Sequence, residues 1–299
     1  MNISGLGTEP NLSIVVASQN AQQTVIECLL ELKNQCKLNE IEIIVVDNSS
    51  DETKEIIKEK FTEIKLIEAA KGKLIPELWG IGISHCSGKL VALTTTHFVP
   101  SKDWAQAIIK AHISNYSGIG GAIENAAHAD LVSWAIYFCR YSRYMLPFKQ
   151  ELVSDFAADN ASYKLADLER VKDSMKDGFW EVFVHQAMLN EKMLLALTPD
   201  IVVYHQKSFT FSGFINQRFW HGKQFGSQRS QNISGFKRIC LILLSPLIPF
   251  LYLYRISKRV LARKKNVAKY LLSLPILFLF LVSWSIGEFS GYILNRRDG

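Results

Sequence analysis

Polar and charged side chains follow four short apolar runs in the first hundred residues. They include the carboxylate of Asp47, the ammonium groups of Lys71 and Lys73 and the imidazole of His97. Carboxylates and imidazoles take part in hydrogen bonds and bind cations, and ammonium groups pair with phosphates. The four segments are residues 17–20, 47–50, 69–73 and 94–97. They form a candidate ligand site if the fold brings them together.

The apolar runs have the pattern of buried strands that alternate with amphipathic helices. LSIVVAS (12–18), IEIIVVD (41–47), IKLIEA (64–69) and KLVALT (89–94) are short and rich in β-branched residues. Helical patterns cover 21–35, 49–61, a segment ending near 83, and 101–114. This alternation predicts an α/β fold, a mostly parallel sheet flanked by helices. Ligands in such sheets bind beyond the carboxyl ends of the strands, where the four polar segments lie.

After residue 125 the pattern is more mixed. It predicts helices at 129–147, 164–173, 180–191 and 209–229, and a short strand at 200–205.

Charge is unevenly distributed along the 299 residues. Residues 237–299 hold eleven basic and two acidic residues, a net charge of +9, which leaves −3 for the rest of the chain. Basic residues beside apolar segments indicate anionic lipid as a partner and argue against a nucleic acid polymer. The five cysteines include no CxxC pair, and the first residues lack a signal-peptide pattern, so we expect a cytosolic domain with reduced thiols.

Two apolar segments close the chain, at 239–254 and 270–287. A membrane span needs about 20 residues, so the second segment is long enough and the first is marginal. Pro246 and Pro249 interrupt the first segment, and seven basic residues lie between the two. By the positive-inside rule, a first segment that re-enters or lies in the interface is favoured over a two-span hairpin. We therefore predict a domain at 1–235, facing the cytoplasm, and a membrane-anchoring tail at 236–299.

LSIVVASQN (12–20) and IEIIVVDNSSDET (41–53) resemble the opening of family-two glycosyltransferases of the GT-A fold. In that family the first strand ends in a loop with an asparagine and the second in VD-(D/N)-x-S. The resemblance implies a nucleotide-sugar site that includes Ala17, Asn20 and Asp47, with the Asp47 carboxylate accepting a ring N–H of uracil or guanine. The alternative is that Asp47 only caps the following helix.

The resemblance continues through residues 71–104, but Thr95 and Thr96 stand where the family carries an acidic DxD motif. That motif binds Mg²⁺ or Mn²⁺ at the donor diphosphate, and threonine hydroxyls are poor ligands for either ion. Three interpretations remain open. In the first, His97, which is beside Thr96 in the donor site, binds a metal together with another residue. In the second, basic side chains neutralise the diphosphate without a metal; the candidates are Lys71, Lys73, Lys207 and Arg218. In the third, the chain is an inactive relative.

GFWEVFVHQAML (178–189) resembles the segment in which the family carries an acidic residue at the start of the helix behind the acceptor site. The resemblance implies an inverting transfer with Glu181 as general base; the alternative is a carboxylate that only complements the helix dipole. His185, one turn later, either orients Glu181, meets the acceptor, or packs in the core.

Further acceptor or phosphate contacts are implied for residues 154–171 and 202–226. The candidates are Asp159, Asn160, His205 and Arg218. A turn explains the first pair as simply, and a basic helix lying on a membrane explains the last residue nearly as well.

The sequence therefore indicates a membrane-associated glycosyltransferase that moves a sugar from a nucleotide-sugar donor to a lipid-linked or envelope glycan acceptor. The alternative is a catalytically silent GT-A domain that acts as a binding or scaffolding module. The presence of Asp47 and Glu181 favours the enzyme, whereas Thr95 and Thr96 favour the silent module.

Overall fold

The computed structural model describes residues 10–35, 41–126, 130–206, 209–231 and 233–294. Its contacts group the chain into two units. The sheet unit comprises Met1–Glu124 and Phe148–Gln206, and the helical unit comprises Asn125–Pro147 and Lys207–Gly299. The predicted division at residue 235 follows composition, whereas this grouping follows packing.

Nine strands form the sheet in the described part of the sheet unit. They are β1 (Leu12–Ser18), β2 (Ile41–Asp47), β3 (Lys65–Glu68), β4 (Leu90–Thr95), β5 (Phe98–Pro100), β6 (Gly118–Asn125), β7 (Glu151–Leu152), β8 (Ala161–Lys164) and β9 (Leu195–His205). The strand order is β3-β2-β1-β4-β8-β6-β9-β5, and β7 pairs with β9. Strands β1 to β4 are mutually parallel, as predicted, and β8 begins an antiparallel part that the sequence pattern did not indicate.

Helices cover the sheet at the predicted places, with shorter bounds. They are α1 (Val25–Gln35), α2 (Thr53–Lys60), α3 (Ile75–Ile83), α4 (Trp104–Ala111), α6 (Leu165–Arg170) and α7 (Glu181–Asn190). Helix α1 buries Val25, Cys28, Leu29 and Leu32 at the spacing of one helix face, which explains why it forms against the sheet. Strands β1 and β2 are almost wholly buried because helices cover both faces of a parallel sheet.

The helical unit contains five α-helices within its described residues. They are α5 (Leu131–Tyr141), α8 (Phe211–Gln231), α9 (Gly235–Leu244), α10 (Ile248–Arg263) and α11 (Val267–Leu294). Between α9 and α10 the chain forms one 3-10 turn, Ser245–Leu247, which contains Pro246. Proline removes a backbone donor, so the predicted interruption of the first apolar segment is present.

Glycines let α8 and α11 approach closely. A Cβ on Gly222 would lie 2.2 Å from the Trp284 carbonyl oxygen, and one on Gly287 would lie 2.0 Å from the Phe219 carbonyl oxygen. Backbones at this separation exclude any larger side chain, as in the small-residue contacts of membrane helix pairs.

Helix α5 is held to the ends of α10 and α11. The Arg263 guanidinium donates to the carbonyls of Ser142 and Arg143, just beyond the last turn of α5, and such a cation complements the negative end of a helix. The Lys269 ammonium lies 4.3 Å from the centre of the Trp134 ring.

Two stretches of the helical unit are long and apolar enough to cross a membrane, Gly235–Arg263 and Val267–Ile293. They contain the two predicted apolar segments.

Candidate functional site

The carboxyl ends of β1, β2 and β4 lie side by side. Ser18 pairs with Asp47, and Ala17 pairs with Thr95. Beyond the strands, the Asn48 N–H donates to the Ser18 carbonyl at 3.2 Å. The parallel register therefore brings the first, second and fourth predicted segments to one edge of the sheet.

Asp47 is held at this edge by the residue two positions later. Its side chain, 2% exposed, accepts hydrogen bonds from the Ser49 N–H at 3.1 Å and the Ser49 hydroxyl at 2.6 Å. The carboxylate that bonds to the start of α2 belongs to Asp51 and not to Asp47: Asp51 accepts a hydrogen bond from the Thr53 N–H at 3.1 Å. A carboxylate has about four acceptor positions, so Asp47 retains capacity for a ligand donor.

Asn20 joins the loops that follow β1 and β2. Its φ of +49° lies in the left-handed region, which asparagine tolerates better than most residues. The Asn20 N–H donates to the Ser49 hydroxyl at 2.8 Å, and the Asn20 amide oxygen accepts from the Ser50 N–H at 2.9 Å. These bonds fix the two loops relative to each other.

Four buried polar atoms at the same edge have no hydrogen-bond partner among the described residues. They are the hydroxyls of Ser18, Thr94 and Thr96 and the amide oxygen of Asn48. Buried polar groups in folded proteins are almost always paired, because an unpaired one costs free energy. Their concentration here indicates a surface that takes a polar ligand.

The turn at 71–73 is attached to this edge through the backbone of Lys73. The Lys73 carbonyl accepts from the Asn48 amide at 2.7 Å, while the Lys73 ammonium lies 2.9 Å from Glu77. The Leu74 N–H and the Lys73 ammonium hold the pKa of Glu77 below its ordinary value. Lys71 is exposed beside Gly72, whose φ of +85° explains a glycine in the turn.

The end of β4 carries one imidazole and two hydroxyls. The Thr95 hydroxyl accepts from the His97 N–H at 3.4 Å, and the His97 Nδ1 lies 3.4 Å from the Thr24 hydroxyl. In the described ranges, no three His, Cys, Asp or Glu side chains come together as they would around a metal ion. Since hydroxyls are poor ligands for Mn²⁺ or Mg²⁺, the residues at this strand end do not fit the metal of a DxD motif.

Glu181 is the first residue of α7, and contacts with the start of α3 position it. The Phe179 N–H donates to the Pro76 carbonyl at 2.7 Å. Gly178 has a φ of +106°, and a Cβ on it would lie 2.8 Å from the Glu77 Cα. Only glycine permits this approach. Because α3 directly follows the 71–73 turn, Glu181 is held by the same part of the chain that carries Lys71.

The predicted acceptor residue Asn160 is buried inside the sheet unit. Asn160, 1% exposed, donates to the carbonyls of Ala122 and Ile201 and accepts from the Trp104 indole N–H at 2.8 Å. Its amide therefore links three parts of the core through hydrogen bonds to protein groups.

The His185 Nε2 lies 2.8 Å from the Tyr163 hydroxyl, and its ring packs against Phe156 at 4.4 Å. This is the packed histidine that the sequence left as an alternative. Asp159 is half-buried in the 3-10 turn Ala158–Asn160.

The remaining predicted residues lie further along the chain. His205 ends β9, buried, with its ring 5.3 Å from Phe98. Arg218 belongs to the helical unit and lies on α8. Lys207 lies outside the described residues.

Sequence reasoning did not assign roles to Asn48 and Ser49, although both stand in the quoted motif. Ser49 orients Asp47, and Asn48 links β2 to the 71–73 turn. Their position directly after a buried strand was the feature of the sequence that could have indicated these roles.

Comparisons with known proteins bear on the family and the fold. The family model described as "Glycosyl transferase family 2" matches residues 13–171. A mannosyltransferase from Pyrobaculum calidifontis, solved in complex with GDP-mannose and Mn²⁺, is similar in fold. It is 15% identical, the match covers 94% of this chain and 87% of that one, and the TM-score is 0.55. The search of curated protein sequences gives no match. Because the family model spans more than half of the chain, the protein belongs to glycosyl transferase family 2 and is a glycosyltransferase of the GT-A fold that uses a nucleotide-sugar donor.

Proposed function

We propose that the enzyme binds its donor beyond the ends of β1, β2 and β4 and transfers the sugar, with inversion, to a lipid-linked or envelope glycan acceptor. The observation that carries the proposal is the cluster at this edge: a buried carboxylate on Asp47 beside the unpaired polar atoms of Ser18, Asn48 and Thr96.

The nucleotide base is assigned to the loop after β2. Ser49 holds the Asp47 carboxylate from one side, and its remaining acceptor positions suit a ring N–H of uracil or guanine. The free amide oxygen of Asn48 suits a second ligand donor. Ala17 and Asn20 form the β1 side of the same edge.

The diphosphate is assigned to the 71–73 turn. Lys71 offers an exposed ammonium, and Lys73 a second one paired with Glu77. The Mn²⁺ in the mannosyltransferase complex makes a divalent metal compatible with a donor site of this fold. Since the end of β4 does not fit such an ion, we assign neutralisation of the diphosphate charge to the two lysines.

Glu181 is assigned as the general base. The acceptor hydroxyl oxygen attacks the anomeric carbon and forms the new glycosidic bond. Its proton passes to the Glu181 carboxylate as the bond from the anomeric carbon to the diphosphate oxygen breaks. The nucleoside diphosphate leaves with the bonding electron pair. Attack opposite to the leaving group inverts the anomeric configuration.

An apolar acceptor is supported by the surface beside Glu181. Val182 is 60% exposed and Phe183 is 50% exposed, although both are apolar. Together with the two apolar stretches and the basic tail, this supports a lipid-linked acceptor, a membrane-associated enzyme and a sheet unit on the cytoplasmic side.

The test is a panel of UDP-sugars and GDP-sugars with the full chain in nonionic detergent. Binding is followed by thermal shift and transfer by release of nucleoside diphosphate, each with Mn²⁺, with Mg²⁺ and with EDTA. We expect one donor to bind and react in EDTA, with an affinity that falls as salt is added.

Lys71→Gln should weaken donor binding, whereas Lys60→Gln should not. Lys60 ends α2, which begins at the ligand edge and runs away from it. Equal behaviour of the two variants, or strict dependence on metal with no response to salt, would refute the assignment to lysine. Binding without transfer for every donor would favour the silent module.

A further inference from the structure

The helical unit contains a cavity of about 260 Å³ with a buried arginine in its wall. Helices α5, α8, α10 and α11 contribute Cys139, Arg218, Tyr252, Arg255, Arg259 and Trp284. A water molecule occupies about 30 Å³ of liquid, so the cavity has room for a larger group.

Arg218 is only 9% exposed, and its hydrogen bonds within the protein are incomplete. One guanidinium nitrogen donates to His221 Nδ1 at 2.9 Å, while Nε has no partner among the described residues. Burial, with a contribution from Arg218, lowers the pKa of His221 to about 4, so this neighbour is neutral and does not balance the charge.

Arg218 also forms a hydrogen bond with the Cys139 side chain, and its guanidinium lies near two aromatic rings. Its guanidinium lies 4.9 Å from the Phe214 ring centre and 5.2 Å from that of Trp284. Burial lowers the pKa of Arg218 to about 10, which leaves it charged at neutral pH. A buried cation without a carboxylate partner is costly, which favours an anion at this point.

The one acidic side chain in the described part of α11, Glu288, is engaged with other groups. Glu288 accepts from the Trp284 indole N–H at 3.0 Å and the Tyr292 hydroxyl at 2.6 Å, and it lies 3.6 Å from Arg229. In the described part of the chain, the cavity wall contains no carboxylate.

Helix α10 adds further positive charge at the mouth of the cavity. Arg255 and Arg259 are four residues apart, so they share one helix face, and both are exposed. Lys258 and Arg263 line an adjoining basic depression with them. The first half of α10 is apolar and this second half is basic, the order expected where a helix passes from hydrocarbon to lipid headgroups.

We infer that this cavity binds the phosphate-bearing headgroup of an anionic lipid. Arg218 binds the phosphate from within, Arg255 and Arg259 bind it at the mouth, and the walls formed by Tyr252, Ile256 and Leu281 contact the apolar part. The inference rests only on the helical unit and is independent of the donor-site proposal.

The test uses dihexanoyl phosphatidic acid, below its micelle concentration, with the full chain in nonionic detergent. Inorganic phosphate and dihexanoyl phosphatidylcholine are titrated in parallel by calorimetry, without any nucleotide sugar. We expect the phosphatidic acid to bind most tightly. The double variant Arg255→Gln/Arg259→Gln should weaken it on the order of tenfold or more, because two charged hydrogen bonds are lost.

The matched control is Lys237→Gln/Lys264→Gln, which removes the same charge from exposed positions outside the cavity lining. It should bind the lipid as the unmodified chain does. Arg218→Gln should also lose binding, with circular dichroism to verify folding. Inorganic phosphate that binds as tightly, with the same dependence on Arg255 and Arg259, would support the phosphate site and identify free phosphate as its ligand. Equal weakening in both double variants, or no binding of any phosphate compound, would overturn the inference.

Discussion

Replacing Asp47 by alanine separates a ligand-binding role from a structural one, because Ser49 offers a matched control. Asp47→Ala removes the carboxylate and also the two bonds that it accepts from Ser49. Ser49→Ala removes the hydroxyl bond to Asp47 and the bond from the Asn20 N–H, but keeps the carboxylate. Both variants therefore loosen the same loop, and only one of them removes the proposed partner of the base.

The expected magnitudes follow from these bonds. A hydrogen bond to a charged group is worth about 1.5–3 kcal/mol, so Asp47→Ala should weaken nucleotide affinity about 10- to 140-fold. Ser49→Ala should cost about 1–2 kcal/mol of stability from two lost bonds, and it should leave affinity within a few-fold.

The assay is calorimetric titration of UDP and GDP into each variant, with thermal unfolding measured on the same samples. Both variants should unfold at lower temperature than the unmodified chain, while only Asp47→Ala should lose affinity strongly. If the two lose affinity equally, or if neither does, the carboxylate acts as a brace for the loop and the assignment to the base is wrong.

Three further outcomes are expected. Glu181→Gln should lower kcat on the order of 10²- to 10⁴-fold with an unchanged donor Kd, because the amide cannot accept the proton; full activity would assign the base to another residue. Gly178→Ala should lower the unfolding temperature more than Gly72→Ala does. Both glycines have a positive φ, but a Cβ on Gly178 would lie 2.8 Å from the Glu77 Cα, whereas a Cβ on Gly72 would have no atom within 4 Å. Equal shifts would show that backbone strain alone matters. Burial lowers the pKa of His112 from 6.5 to about 4, so between these values the unfolded chain binds a proton that the folded chain does not. Stability measured by denaturant unfolding should therefore fall as pH drops from 6.5 to 4, by up to about 1.4 kcal/mol per pH unit, and His112→Gln should flatten this slope.

Much of the sheet unit could be predicted because its information is local. Continuous β-branched runs and 3.6-residue periodicity indicated β1 to β4 and the helices between them. Polar residues directly after those strands indicated the ligand edge, since parallel strands bring their carboxyl ends together.

In the antiparallel part of the sheet, the predicted strand at 200–205 lies within β9, but β6 and β8 were missed because they lack such a pattern. Strand β6 reads GIGGAIEN, with glycines in place of β-branched residues, and β8 has only four residues. Pairing of β8 with β4 and β6 makes both segments strands, and no local window contains that information.

Tertiary structure also decided what individual polar residues do. The sequence left Asn160 as an acceptor contact or a turn residue, and His185 as a residue that orients Glu181, an acceptor contact or a packed histidine. In the structure each is buried and bonded to protein groups from distant parts of the chain. In the helical unit, the sequence showed apolar segments, prolines and basic residues. The packing of α8, α10 and α11 buries Arg218 beside a cavity whose mouth carries Arg255 and Arg259. The sequence could not show this, because burial is a property of contacts between segments and not of any one segment.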